Sequence, residues 1–253
     1  PEPDAPMDSG EVIHNADLPD IQSPDYTVLD GFQLIINRVL SRFEIRDHNG
    51  ALRHASIENE PLFYVDVAEV HAEEYRGSFD VTQSSRFECP AAMPSEVSLV
   101  GDAAIMTGEL DDTERSLCWG TWTMTFTVPN EGHLRWELRV ENPGFSRIRM
   151  AWASHATEHI YGFGEQFTHL DLKGHLVPVL SQEGGIGRGR ELITELMESI
   201  SPGSGGNAFT TYVAIPQYVT NDNRGFVLET SEYAEFDLRD EDRITVSVYN
   251  GAP

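Results

Sequence analysis

Residues 160–174 read Ile-Tyr-Gly-Phe-Gly-Glu-Gln-Phe-Thr-His-Leu-Asp-Leu-Lys-Gly, and residues 182–190 read Gln-Glu-Gly-Gly-Ile-Gly-Arg-Gly-Arg. Glycines, carboxylates, an amide and the only lysine of the chain, Lys173, are more closely spaced here than elsewhere. Such glycine density is typical of backbone that turns sharply or approaches another group closely. Polar side chains between the glycines can donate and accept hydrogen bonds. The stretch therefore suits the rim of a sugar-binding site better than a plain turn.

The segments around this stretch alternate between apolar and polar residues, as β-strands do. Asn49-Gly50 and residues 221–225 are strong hairpin signals, whereas residues 71–94 look polar and irregular. One segment has apolar residues at helical spacing instead. These patterns predict an all-β fold, a large antiparallel β-sandwich with one short helix. The helix is expected at Leu192, Ile193, Leu196, Met197 and Ile200, and the strands include residues 97–106, 118–128, 134–140, 148–152, 209–215, 225–229 and 244–249.

Domain organisation follows from composition. Residues 1–26 are rich in proline, aspartate and serine and have no periodicity, so we expect a flexible acidic arm. Residues 27–253 form the predicted sandwich.

The charge balance excludes several kinds of partner. The 253 residues include 42 acidic and 17 basic side chains, for a net charge of −25. Such a chain repels phosphate backbones and anionic lipids, so neither nucleic acid nor a membrane is an expected partner. Dispersed carboxylates whose repulsion is screened by molar salt are typical of a halophile. We therefore expect partial unfolding in low salt.

Two cysteines, Cys89 and Cys118, are too few for a disulfide framework, and we expect them to be reduced and buried. No apolar run is long enough to span a membrane, and no signal-peptide pattern stands at the beginning. A cytoplasmic location is therefore expected. No cofactor motif emerges, because the glycines at 185–189 lack the spacing and the βαβ frame of a nucleotide site.

His155, Glu158 and His159 match the H-x-x-E-H spacing of some zinc peptidases. That motif needs a helix, because only a helix brings both histidines to one face within chelating distance. The alternation of residues 148–152 predicts a strand before it, so we expect two surface or loop histidines and no metal site.

Five residues are the candidates for the rim of a carbohydrate site: Glu165, Gln166, Asp171, Glu183 and Arg188. Sugar hydroxyls both donate and accept, so carboxylates, amides and guanidinium groups are their natural partners. The alternative is a tight structural corner in which Glu165 and Asp171 accept backbone N–H bonds.

Residues 161–167, followed by Leu172-Lys173-Gly174, resemble the Gly-x-Gly-Glu signature of glycoside hydrolase family 31, the α-glucosidase family. Residues 182–189 are similar to the sulfoquinovosidase subgroup, which has Glu-Gln-Gly-Val-Gly-Arg here. The order differs in this chain, where Gln182 precedes Glu183. Residues 209–220 loosely resemble a strand of the same subgroup.

The resemblance implies a galactose-mutarotase-like sandwich that precedes a (β/α)8 catalytic barrel. In that family both catalytic aspartates lie in the barrel, and no βαβ series is present here, so no residue of this chain is assigned a catalytic role. A retaining glycosidase needs both carboxyl groups at one bond. The implied partners are an α-glycoside substrate and a barrel in the same or an adjacent chain. The domain would pack on that barrel, shape its entrance and be inactive alone.

Two further hypotheses remain from the residues. A free-standing carbohydrate-binding module would bind sugar without a barrel. A mutarotase-like epimerase would need a histidine facing a carboxylate, for which His169 or His175 with Glu165 are the local candidates.

Overall fold

The computed structural model describes residues 25–94, 96–111, 118–141 and 144–250. Most of the predicted N-terminal arm therefore lies outside the described residues, although the first strand already begins at Asp25. Within the described ranges the elements in chain order are β1 (Asp25–Leu29), β2 (Phe32–Asn37), β3 (Arg42–Arg46), β4 (Leu52–Ala55), β5 (Phe63–Tyr75), β6 (Ser78–Pro90), β7 (Glu96–Val100), β8 (Ala103–Glu109), β9 (Thr121–Asn130), β10 (His133–Val140), β11 (Arg147–Ala153), β12 (Ile160–Gly164), β13 (Leu176–Val179), α1 (Ile193–Ile200), β14 (Ala214–Thr220), β15 (Gly225–Val227), β16 (Ala234–Asp237) and β17 (Arg243–Tyr249).

The strands form four antiparallel sheets. Two four-stranded sheets have the orders β1-β2-β3-β4 and β10-β9-β8-β7. A six-stranded sheet has the order β13-β16-β17-β11-β5-β6, and a three-stranded sheet has the order β12-β14-β15. The predicted all-β sandwich with one short helix is therefore confirmed.

Two apolar clusters lie between the sheets. The first joins both four-stranded sheets to β5, with Phe43, Phe63, Trp122 and Phe126 among its buried members. The second lies between the six-stranded and the three-stranded sheet and includes Trp152, Phe163, Tyr218 and Phe236. In strands such as β9, buried residues alternate with less buried ones, as expected where one face of a strand packs against the core.

The prediction that residues 71–94 are irregular is wrong, because β5 and β6 pair there as a long hairpin. Most side chains of its outer half are exposed on both faces, which removes the alternation that marks a half-buried strand. The single strand expected at 97–106 is likewise the hairpin β7–β8. The strand expected at 209–215 begins only at Ala214, and β16 was not anticipated.

The expectation of reduced cysteines is also wrong. Cys89 and Cys118 form a disulfide, with their Cα atoms 5.3 Å apart. The fold brings the end of β6 beside residue 118, and this separation lies within the range that a disulfide bridges. Twenty-nine positions separate the two cysteines in sequence, so their spacing could not reveal the contact.

No helix among the described residues is long and apolar enough to cross a membrane.

Candidate functional site

The glycines of residues 160–164 allow the backbone of β12 to approach β14. Gly162 has φ 137° and Gly164 has φ 82°, both in the region that favours glycine. A Cβ on Gly162 would lie 2.5 Å from Gln217 O, and one on Gly164 would lie 2.1 Å from Val213 O. The β12–β14 register shifts between these two glycines. The glycine density thus reflects a close backbone approach, which turns the chain out of the sheet toward residues 165–171.

Asp171 ties the far end of this loop to the sheet. Its carboxylate accepts the backbone N–H of Ile160 at 3.0 Å and of Lys173 at 3.1 Å, and it contacts His159 Nδ1 at 2.6 Å. Burial alone would raise the pKa of Asp171, but the hydrogen bonds from His159, Ile160 and Lys173 lower it below its usual value. Asp171 therefore matches the structural-corner alternative.

Glu165 and Gln166 lie at the middle of the loop, close to residues 210–213. The main chain of Glu165 donates to Val213 O at 2.9 Å and accepts from Thr211 Oγ1 at 2.6 Å. Gln166 Nε2 donates to Phe163 O at 3.0 Å. The backbone of Glu165 is thus fixed while its side chain is exposed. No hydrogen bond to the Glu165 carboxylate occurs among the described residues, so that carboxylate can reach a ligand.

Arg188 joins the second segment to the first. Its guanidinium carbon lies 3.8 Å from the ring centroid of Phe167, and its Nε donates to Thr210 O at 3.3 Å. A guanidinium held on an aromatic face keeps its other edge available for planar hydrogen bonds. Phe167 is itself 45% exposed. Arg188, Phe167 and Glu165 therefore belong to one surface region built around residues 210–213.

Glu183 lies at the tip of the β5–β6 hairpin. Its N–H donates to Gly77 O at 2.8 Å, and its side chain covers Gly77, where an added Cβ would lie 2.6 Å from Glu183 Cγ. The preceding Gln182 is buried and accepts the N–H of Phe79 through Oε1 at 2.9 Å. The hairpin thus holds the loop of residues 182–188 in position.

A large apolar surface borders this region. On the outer face of the three-stranded sheet, Ile215 and Val219 point outward from β14, and Val227 points outward from β15. The predicted helix is confirmed as α1, but none of its residues is buried. The loop of residues 184–187 links the two parts, since Tyr212 Oη donates to Gly184 O at 3.0 Å and Gly187 packs against Thr194. We call this surface the apolar face; it comprises Leu192, Ile193, Leu196, Ile200, Tyr212, Val213, Ile215, Val219 and Val227.

The three residues of the H-x-x-E-H pattern have three different partners. His155 Nε2 contacts Asp222 at 2.6 Å, and His159 contacts Asp171. Glu158 is fully buried and accepts two hydrogen bonds from Arg224, both 2.6 Å long. Burial alone would raise the pKa of Glu158, but the bonds from Arg224 and Ser154 lower it. The three side chains therefore do not converge on one point.

The five predicted rim residues thus fall into three groups. Glu165, Gln166 and Arg188 surround residues 210–213, Asp171 lies at the base of the loop, and Glu183 lies on the hairpin tip. Sequence reasoning missed Phe167 and Tyr212, the aromatic residues of the region. An aromatic side chain inside a glycine-rich polar stretch was the available signal, since such residues are often exposed for binding.

Comparisons with known proteins identify the family to which this fold belongs. A family model described as the glycosyl hydrolase 31 N-terminal galactose mutarotase-like domain matches residues 66–237. The sulfoquinovosidase of Agrobacterium fabrum (strain C58 / ATCC 33970) is 26% identical over 224 residues, which cover 88% of this chain and 30% of the relative. The sulfoquinovosidase of Escherichia coli (strain K12) is 30% identical over 116 residues, which cover 46% of this chain and 17% of the relative.

A solved structure has the same fold. It is a GH31 family sulfoquinovosidase from E. rectale in complex with the aza-sugar inhibitor IFGSQ, with a TM-score of 0.70 and 19% identity. The match covers 89% of this chain and 30% of that one. The chain therefore spans less than a third of the length of these relatives. Because the family model matches more than half of the chain, this protein belongs to the family of glycosyl hydrolase 31 N-terminal galactose mutarotase-like domains.

Proposed function

We propose that this chain is the non-catalytic N-terminal domain of an α-glycosidase, that it packs on the catalytic barrel through the apolar face, and that its rim shapes the substrate entrance. The single observation that carries the proposal is the apolar face, which lies next to the rim. Monomeric proteins rarely expose contiguous apolar surface of this kind, which marks an interface.

The identity of the partner follows from the family and from the length of the chain. The chain spans about 30% of the relatives that match most of it, so the remainder of such an enzyme is the natural cover for the apolar face. Val219 is 49% exposed and Val227 is 56% exposed on the outer face of the three-stranded sheet. Covering them would gain roughly 25 cal/mol for each Å² removed from water.

The rim supports the second half of the proposal. Glu165 and Arg188 present a carboxylate and a guanidinium beside Phe167, which supplies an apolar surface for a sugar ring. This combination provides an acceptor, a planar donor and a stacking surface within one region. Because the matched relatives are sulfoquinovosidases, we propose an α-sulfoquinovoside as the substrate of the intact enzyme.

The epimerase hypothesis has less support. His169 and His175 have ring centroids 4.0 Å apart, and both pack on Phe209. No hydrogen bond among the described residues joins either imidazole to Glu165. Burial lowers the pKa of His175, and the neighbouring His169 lowers it further. The pair therefore faces an aromatic ring rather than the carboxylate that an acid–base mechanism needs.

The docking half is tested by co-purification with a family-31 barrel chain. The chain alone should not hydrolyse a chromogenic α-glucoside or α-sulfoquinovoside, and it should form a complex with the barrel. The double substitution Val219→Glu/Val227→Glu should weaken the complex at least about tenfold, because two charges would be buried without partners.

The matched control is Leu99→Glu/Val100→Glu, since these residues are 57% and 59% exposed on a hairpin of another sheet. This control should bind the barrel normally. Equal binding by both double variants would refute the assignment of the apolar face, and hydrolysis by the chain alone would refute the non-catalytic role.

A further inference from the structure

The outer face of the six-stranded sheet contains an open groove of about 1000 Å³, which neither the rim nor the apolar face includes. Residues of all six strands line it, among them Tyr64, Arg149, Ser247 and Glu235 along one row of paired residues. Its volume is at the upper end of the range of small-molecule sites. The groove is therefore large enough for an oligosaccharide of several sugar rings.

The charges in the groove are nearly balanced, unlike those of the chain. Among the described residues, four arginines and five carboxylates line it, whereas the whole chain carries a net charge of −25. A quarter of the sixteen arginines therefore lies on one face. Alternating guanidinium and carboxylate groups match a neutral ligand with many hydroxyls better than an ion of either sign.

The donors of the groove are held in fixed orientations by aromatic rings. The Arg149 guanidinium lies 4.8 Å from the ring centroid of Tyr64, and the Arg147 guanidinium lies 5.6 Å from that of Tyr249. Arg149 also contacts Glu88 at 2.7 Å. A guanidinium stacked on a ring loses little further entropy when it donates to a ligand, which is the advantage of preorganisation.

The acceptors belong to one connected network. Glu235 accepts from Gln83 Nε2 at 2.7 Å and from Tyr233 Oη at 2.7 Å, and it contacts Tyr249 Oη at 3.1 Å. Gln83 Oε1 in turn accepts from Arg147 at 3.2 Å. Such a network fixes the direction of each lone pair before a ligand arrives.

A buried ion pair lies at the base of the groove, although the packing of the sheet does not require one. Asp66 is fully buried beside Arg147 on the paired strand, and Arg147 Nε donates to its Oδ2 at 2.8 Å. The other oxygen, Oδ1, has no hydrogen-bond partner among the described residues. A buried ion pair is a weak source of stability compared with an apolar pair, so its presence calls for another role. Here it holds Arg147 at the base of the groove.

We propose that this groove binds a neutral polyhydroxylated ligand, an oligosaccharide, as an accessory sugar site separate from the rim. Arg147, Arg149 and Glu235 are its central polar contacts. The site does not depend on the barrel, so this chain alone should bind the sugar. Neutral ligands are favoured because the guanidinium and carboxylate groups of the groove nearly balance one another.

The test is titration of the chain with maltotriose, methyl α-D-glucopyranoside, glycerol and glucose 6-phosphate, followed by saturation-transfer NMR and calorimetry at constant salt. Maltotriose should bind with a dissociation constant of about 1 mM, and the anionic sugar at least about tenfold more weakly. Glycerol tests for any small polyol. The proposal would be overturned if glycerol bound as tightly as maltotriose. It would also be overturned if maltotriose did not bind at a concentration 50 times the expected dissociation constant.

Three variants test where the ligand lies. Arg149→Ala and Glu235→Gln should weaken maltotriose binding at least about tenfold, and Thr245→Trp should do so by filling the groove with a ring. The control Arg135→Ala removes an exposed pair with Glu229 on another sheet and should leave binding unchanged. Equal loss in the control, or no loss in the three groove variants whose circular dichroism is unchanged, would refute the site. Failure here leaves the barrel-docking experiment unaffected, because the two use different surfaces.

Discussion

The outer face of the six-stranded sheet and the apolar face expose different kinds of side chain to water. On the first, guanidinium groups and carboxylates pair within the chain, as Arg149 does with Glu88 and Arg239 with Asp237. On the second, Ile215, Val219 and Val227 are half exposed, and Gln217 lies among them on the same face. The groove and the strand part of the apolar face both come from regular antiparallel strands, so strand formation alone does not determine whether an outer face is polar or apolar.

The two faces differ in whether their side chains can be satisfied by contacts within the same chain. Charges can satisfy one another inside a single chain, so the groove is complete without a second molecule. Apolar side chains gain only when water is removed from them, and the sheet cannot fold back on its own outer face. This contrast is the reason why we propose a reversible ligand for the groove and a permanent neighbour for the apolar face.

The largest effect is expected from salt, because it acts on the excess charge that surrounds both faces. With a net charge of −25, self-repulsion favours the unfolded chain until salt screens it. The thermal midpoint should rise clearly between dilute buffer and 2 M potassium chloride, by roughly 10 °C or more. Calorimetry checks this prediction, and equal midpoints in both buffers would remove the halophilic interpretation.

Arg147→Ala should lower the free energy of unfolding by about 3–5 kcal/mol, because it leaves Asp66 charged and buried without its partner. Burial already raises the pKa of Asp66 against the effect of Arg147. The control is Arg243→Ala, whose pair with Glu60 is one-third exposed and should contribute about 0–1 kcal/mol. Urea unfolding measures both. Similar losses for both variants would show that the groove floor is not special.

On β4, His54 packs against Trp136 and Trp152. Burial lowers its pKa to about 3, and the charge of Arg224 adds to this. The unfolded chain takes up a proton near pH 6.5 that the folded chain accepts only near pH 3. The free energy of unfolding should therefore fall as the pH drops through this window, by about 1.4 kcal/mol for each pH unit.

His54→Phe should remove this part of the pH dependence between pH 6.5 and 5, as followed by urea unfolding at several pH values. His71→Phe, at an exposed position of β5, should keep the slope of the unsubstituted protein. A slope that is unchanged in the His54 variant would mean that this histidine is accessible to protons in the folded state.

The smallest effect is expected on the apolar face of the isolated chain. Val227→Glu should change the free energy of unfolding by no more than about 0.5 kcal/mol, since the side chain is already exposed. Val246→Glu, at a buried position of β17, should instead prevent folding or cost several kcal/mol. Thermal melts of both variants distinguish a face that awaits a partner from one that is packed already.

How much of this was predictable depended on burial. The strand at β9 was evident because Trp122, Met124 and Phe126 alternate with threonines, and the alternation reflects one buried face. The outer half of β5 and β6 was not evident from the sequence. Its side chains are exposed on both faces, so only backbone hydrogen bonds define the strands. The helix was predicted from its apolar spacing, yet none of its residues is buried in this chain.

The rim, too, was predictable from the sequence only in part. The glycine pattern predicted a close backbone approach at Gly162 and Gly164, and the structure contains one. It could not separate Asp171, which anchors the loop, from Glu165, whose carboxylate is exposed. Both are acidic residues in one polar stretch, and only the position of the neighbouring N–H groups distinguishes them.

By itself the sequence determined the class of fold, the extreme surface charge and the region that carries the rim, because periodicity, composition and glycine spacing are local properties. Tertiary structure alone decided the disulfide between Cys89 and Cys118, the stacking of Arg188 on Phe167 and the groove around Arg149 and Glu235. Each of these joins residues distant in sequence, and their distances are set by sheet order and strand register. Residues 160–190 are therefore the most informative stretch for recognising the domain, while its binding surfaces depend on which strands become neighbours.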